Sequence, residues 1–159
     1  MPPALFHMPA WVTIDLDDLN DYSAGEKVAA LVSAALAVGQ TDPSVRVIPD
    51  VVAIARGYLA ARGQNLLSAT ANSVPPEAKT HVCWLIIEAL QARLPGLVLM
   101  DEERRMIDRA WEWLRDVAKG AISIATPDDP IVADVQAPAA ISVVEKPTRV
   151  TTRATLSGL

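Results

Sequence analysis

Residues 74–96 read VPPEAKTHVCWLIIEALQARLPG, and they constrain the fold more than any other stretch. Pro75 and Pro76 suit a helix start, and Pro95-Gly96 suits a stop. Between Val82 and Ala92 the sequence is apolar almost all round. Only Glu77, His81 and Glu88 line up as a polar strip at helical spacing. A helix that is apolar on every side has to be surrounded by other elements, so this one belongs at the centre of the fold. Its longest apolar run, VCWLII (82–87), is far short of the roughly 20 residues a membrane helix needs. No membrane association is expected.

The flanking segments supply the surrounding helices. TIDLDDLNDY (13–22) suits a short capped turn or helix, with Thr13 as N-cap and aspartates at the positive end of the helix dipole. Ser23 and Glu26 have capping-box spacing and predict a helix running to Val38 and stopping at Gly39. Its Val28, Leu31, Val32, Ala35 and Leu36 form a buried stripe. A second stripe of Ala29, Ser33 and Ala37 would let a neighbouring helix come close. A third helix follows TDP, where Asp42 can cap and Pro43 can occupy the first helical position. Pro49 predicts a kink or a later start, and Gly63 closes the helix after Arg62. Residues 64–73 are a polar loop of small residues. The last helix starts at the acidic Asp101-Glu102-Glu103 and ends at Lys119-Gly120, matching the dipole at both ends.

That last helix carries two tryptophans two positions apart, Trp111 and Trp113. At about 100° per residue, Ile107, Ala110, Leu114, Val117 and Ala118 make a broad apolar arc, and one tryptophan falls at each edge of it. An amphipathic ring suits such a boundary. The helix is either wedged between two helices of its own chain, or one ring faces another protein.

After Gly120 the character changes. The segment has four prolines (127, 130, 138, 147), no helical period, and recurrent valine, isoleucine and leucine. ISVVE (141–145) and RVTTRATL (149–156) are candidate short strands. An extended, partly apolar arm with little core of its own suits docking on another surface. The candidate interface residues are Trp111, Trp113, Ile131, Val132, Ile141, Val143, Val144, Val150 and Leu156. The expected architecture is all-α: a small bundle of four to five helices over 13–125. An N-terminal extension (1–12) precedes it and an extended Pro/Val-rich arm (126–159) follows it.

Chemistry-bearing patterns are sparse. The net charge of −5 argues against a general nucleic-acid binder. The arginines at 104, 105 and 109 are interleaved with acids rather than forming a basic stripe. A single cysteine, Cys83, excludes an internal disulfide framework, suits a reducing compartment and reads as a small core residue. The N-terminus lacks the basic and apolar regions of a signal peptide, so synthesis and folding in cytoplasm are expected. His81 lies four residues from Glu77 on one helix face, which suits an edge ion pair better than a proton-transfer dyad. Asp15, Asp17, Ser23 and Glu26 match positions 1, 3, 9 and 12 of a calcium loop. Leu19 and Asn20, however, replace the required oxygen ligand and the turn glycine. No phosphate-cradling glycine loop occurs. Neither a catalytic residue, nor a cofactor, nor a metal site is assigned.

Taken with RAWEWLRDVAKGAIS (109–123), the 74–96 stretch resembles the head–tail connector proteins of tailed bacteriophages, also called adaptor or head-completion proteins. In that family a short acidic segment precedes two helices, and a central apolar helix follows a Pro-Pro or similar start. The last helix often ends in a W-L-x-x-V-A-x-G run, here Trp113 to Gly120. ARGYLAARG (55–63) is similar to the family's second-helix ending. The resemblance covers 13–125, and the long segment after 126 departs from the shorter members. It implies a non-catalytic, typically dodecameric ring below the capsid portal, in the neck of the virion. The implied partners are the portal protein, neighbouring copies, and a tail-side neck or tail-completion protein. DNA would pass through the channel without sequence-specific binding. The alternatives are a tail-completion or terminator protein, richer in β-structure, and a small helical regulator that pairs with a partner protein. An enzyme would have to use His81 with Glu77 or Glu88.

Overall fold

The computed structural model describes residues 10–131, apart from residues 24, 34–38, 40 and 94–97. The described chain is mainly α, with five helices and one two-residue ladder. The elements in order are β1 (Val12–Thr13), α1 (Leu16–Asn20), α2 (Gly25–Ser33), α3 (Ser44–Ala60), β2 (Ser73–Val74), α4 (Pro76–Gln91) and α5 (Asp101–Lys119).

Helix α4 is the centre, as its all-round apolar sequence requires. Every residue from Val82 to Ile87 is buried, and α4 packs against each of the other four helices. Burying each large apolar side chain there contributes about 1.5–3 kcal/mol. Helices α3 and α5 also pack on each other, so the three long helices share one core. On the far side, Tyr22 after α1 sets its ring edge against Trp84, with centroids 6.4 Å apart. The Tyr22 and Thr80 hydroxyls share a hydrogen bond of 3.1 Å. Lys79 of α4 pairs with Asp18 of α1, and Lys27 of α2 pairs with Glu103 of α5.

Helix ends follow local chemistry, with some departures from expectation. The cap of α1 is Asp15, not Thr13. Asp15 Oδ1 accepts from the Asp18 N–H at 3.1 Å, while Asp18 Oδ2 accepts from the Asp15 N–H at 3.0 Å. Thr13 instead pairs with Ser73 in an antiparallel ladder that also joins Val12 to Val74. The Ser23–Glu26 capping box does not form. The Ser23 N–H bonds back to the Leu19 carbonyl, and its buried hydroxyl has no hydrogen-bond partner among the described residues. The expected end of this helix at Val38 lies outside the described residues. Ala29 and Ser33 face solvent rather than a neighbouring helix.

Pro43, expected at the first helical position, is the cap residue of α3, and Asp42 before it still supports the start, its Oδ1 accepting from the Ser44 N–H at 2.8 Å and the Ser44 hydroxyl at 2.7 Å. Helix α3 then runs through Pro49 without a new start. The carbonyl that Pro49 leaves without its helical donor belongs to Val45, which is 60% exposed, so water can serve it. At the other end of the molecule, Gly120 closes α5 with a φ of 82°, the left-handed conformation that glycine adopts without steric cost.

The structured body begins before residue 13 and extends past residue 125. Trp11 is buried, and its Nε1 donates to the Ala125 carbonyl at 2.9 Å. Residues 129–131 run antiparallel to the 67–70 loop, with Ala69 N–H on Asp129 O and Ile131 N–H on Leu67 O, each at 2.7 Å. Pro127 is buried between these ties. The candidate strands at 141–145 and 149–156 lie outside the described residues.

Candidate functional site

Two features stand out from the packing: an apolar seam between α3 and α4, and a polar knot beside the ties that hold residues 129–131 to the body.

The seam answers what the paired tryptophans do. Helices α4 and α5 run antiparallel, so Trp113 meets the first half of α4 and Trp111 the second. The Trp113 ring stacks on His81, with centroids 4.8 Å apart and planes 17° from parallel. The Trp111 ring meets Tyr58 of α3 edge-on at 6.0 Å, and its Nε1 donates to Glu88 Oε2 at 3.1 Å. Both rings are half-buried. Beside Trp111 opens a cleft of about 340 Å³ lined by Val51, Ile54, Leu85, Glu88, Ala89 and Ala92. Ile54 is 51% exposed on its wall. Nearer the start of α3, a second cleft of about 320 Å³ is lined by Thr41, Pro43, Arg46, Val47, Asp50 and Arg93. Because α3 and α4 are antiparallel, the two clefts follow each other along one seam, apolar first and then flanked by two arginines.

His81 therefore has Trp113 as its neighbour rather than Glu77, which is exposed. Burial pulls the His81 imidazole below its ordinary value. The folded state thus favours the neutral ring, whereas the unfolded chain takes up a proton as pH falls below 6.5. The stability that depends on a neutral His81 is present above that pH and is lost as pH falls toward the folded value. The thermal midpoint is expected to drop between about pH 7 and about pH 5.5, and His81→Gln to flatten that slope. An unchanged slope in the variant would contradict this assignment. Cys83 is wholly buried, and burial pushes its thiol up to about 12, which suits an inert core residue.

The polar knot centres on Arg56, buried to 9% exposure. Its Nη1 donates to the Ser73 carbonyl at 2.7 Å and the Thr70 carbonyl at 3.1 Å. Its Nη2 donates to the Ser68 carbonyl at 2.6 Å. The guanidinium lies over the Trp11 ring, 5.5 Å from its centroid. Burial draws the Arg56 pKa down and Asp129 acts against it; an arginine stays cationic regardless. Hydrogen bonds from Ser68 and Thr70 hold the exposed Asp129 carboxyl below the usual carboxylate range. One side chain thus gathers the N-terminal segment, the 68–73 loop and the root of the C-terminal segment.

Of the residues singled out in the sequence, the structure describes Trp111, Trp113 and Ile131. The tryptophans touch α4 at positions seven residues apart, Glu88 and His81, about two turns from each other. Ile131 is 50% exposed at the far end of the polar knot. Val132, Ile141, Val143, Val144, Val150 and Leu156 lie outside the described residues. Sequence reasoning missed Arg56 and Ile54. Both signals were present. Arg56 falls on the Ile48, Val52, Ala55, Leu59 stripe, where a charge has to find buried acceptors. Ile54 falls off that stripe, on the outer face.

Among the described residues no three histidine, cysteine or acidic side chains cluster as a metal site, and no helix is long and apolar enough to cross a membrane. No protein-family model, curated protein or solved structure matches the chain.

Proposed function

We propose that this chain is a structural virion protein, a head–tail connector whose helical bundle forms a ring under the portal, extends the DNA channel and docks the tail. Its C-terminal arm engages the portal or a neighbouring copy. The observation that carries this reading is the fixed root of the arm. The body commits the Trp11–Ala125 bond, the Arg56 knot and two backbone bonds at 129–131 to setting where the chain departs. Beyond that root the sequence is rich in valine and proline and too poor in large apolar residues to make its own core. A fixed departure point suits an arm that has to reach a partner in a set direction. The resemblance over 13–125 supports the same role. The helical regulator is a second reading, favoured by the open apolar cleft beside Trp111.

Truncation after Ile131 tests the arm. The cut belongs there rather than after Thr126, because Pro127 is buried and residues 129–131 are bonded to the body. The shortened chain is expected to keep its helical circular dichroism and thermal midpoint but to lose incorporation into particles. Normal incorporation would show that the arm is dispensable.

A further inference from the structure

The arm carries a segment whose chemistry matches the seam in order and spacing. In AAISVVE (139–145), Ile141, Val143 and Glu145 are two residues apart, so they share one face of an extended chain. Successive members of that face stand about 7 Å apart. From Ile54 to Arg46 the seam runs eight residues along α3, about 12 Å, and from Ile141 to Glu145 an extended chain covers about 13 Å. The first part of the seam is walled by Val51, Ile54 and Ala89, and its second by Arg46 and Arg93 with one acid, Asp50, so the second part carries a net positive charge. An extended AAISVVE places two apolar side chains in the first cleft and one carboxylate between the arginines.

The other apolar runs of the arm fit less well. RVTTRATL would set Arg149 or Arg153 against Arg46 and Arg93. Val132 and Asp134 follow immediately on Ile131, which is tied to Leu67, and no residue of the 61–73 loop lines the seam.

The donor and the acceptor sit on opposite sides of α3. Arg56, which faces the arm's root, is two residues from Ile54 and nine from Val47, about 200° and 180° around the helix, while Arg46 at the rim of the seam is about 80° from it. Opposed, non-identical patches are what copies need to join in series, head to tail. From Ile131 to Ile141 the chain spans up to about 33 Å when extended, comparable to the diameter of a body this size. We infer that residues 139–145 of one copy occupy the α3–α4 seam of the next, with Ile141 and Val143 beside Ile54 and Glu145 between Arg46 and Arg93. This rests on the reading of the chain as one that assembles with copies of itself.

Full-length chain carrying Ile54→Cys and Val143→Cys tests it. Native Cys83 is buried with a raised pKa and does not compete for oxidation. On mild oxidation, a non-reducing gel should show a ladder at multiples of the 17.0 kDa chain. Each single variant can link no further than a dimer. Adding Glu145→Arg should weaken the ladder several-fold, and Arg93→Glu on top of it should restore it. An intrachain link that leaves only a monomer band would overturn docking between copies, and no link at all would overturn the pairing. The protein alone gives this result, so a ladder without portal binding would fail the connector reading while upholding the joint.

Discussion

Replacing Arg56 with methionine is expected to destabilise the fold by about 3–5 kcal/mol. Methionine keeps much of the packing volume but donates nothing. It leaves the carbonyls of Ser68, Thr70 and Ser73 in a buried site without the guanidinium. Each buried acceptor left unsatisfied costs about 1–3 kcal/mol, and the three are too close to add independently. Arg56→Lys should fall in between, because an ammonium is a point charge and cannot fork across three carbonyls. Chemical denaturation followed by far-UV circular dichroism measures both variants. A loss below about 1 kcal/mol for methionine, within the range of an ordinary substitution, would mean that the knot contributes little.

The second large effect lies at the centre of α4. Ile86 is fully buried in a helix with packing on all sides, so Ile86→Ala should cost about 2–5 kcal/mol and Ile86→Val about 0.5–1.5. The spread at fixed chemistry reflects how far a site can collapse, and a helix held by four neighbours collapses little. Val45→Ala, at a side chain 60% exposed, should stay within about 0.5 kcal/mol. Equal costs at the two positions would contradict the placement of α4.

These two sites differ in how legible they were. The position of α4 could be read directly, because an all-round apolar helix has one physical outcome. The edges of the α5 arc likewise placed Trp111 and Trp113 at boundaries, and both rings are half-buried. Helix starts were harder. Both Asp15–Asp18 and Ser23–Glu26 had three-residue spacing, and local sequence could not say which pair would close. The Ser23 N–H is taken by the Leu19 carbonyl at the end of α1, which pre-empts the second box. Pro49 could be read as a breaker, but not as one that α3 would run through beside the exposed Val45. That Arg56 would be buried was readable from its stripe, but the partners of its guanidinium were not. Its acceptors are carbonyls 12 to 17 residues away, and backbone acceptors leave no signature in side-chain sequence. The ladder of Val12 with Val74 is equally non-local.

Acid should weaken the fold in a second window, separate from that of His81. Burial acts to raise Asp18, but hydrogen bonds from Lys79 and the Asp15 backbone outweigh it and hold the carboxyl below its ordinary value. Glu103 is likewise lowered, by Lys27 and the Met100 backbone against the effect of burial. Both pairs join separate helices. Their contribution is present above the ordinary carboxylate range and is lost as pH falls through the folded values.

The proposal of a connector stands or falls on mass. Light scattering on a sizing column would measure the full-length chain alone and then mixed with a portal ring from the same source. A connector gives a large complex of fixed stoichiometry with the portal, formed at the expense of free chain. A compact dimer that ignores the portal would contradict it and bring the helical regulator to the front.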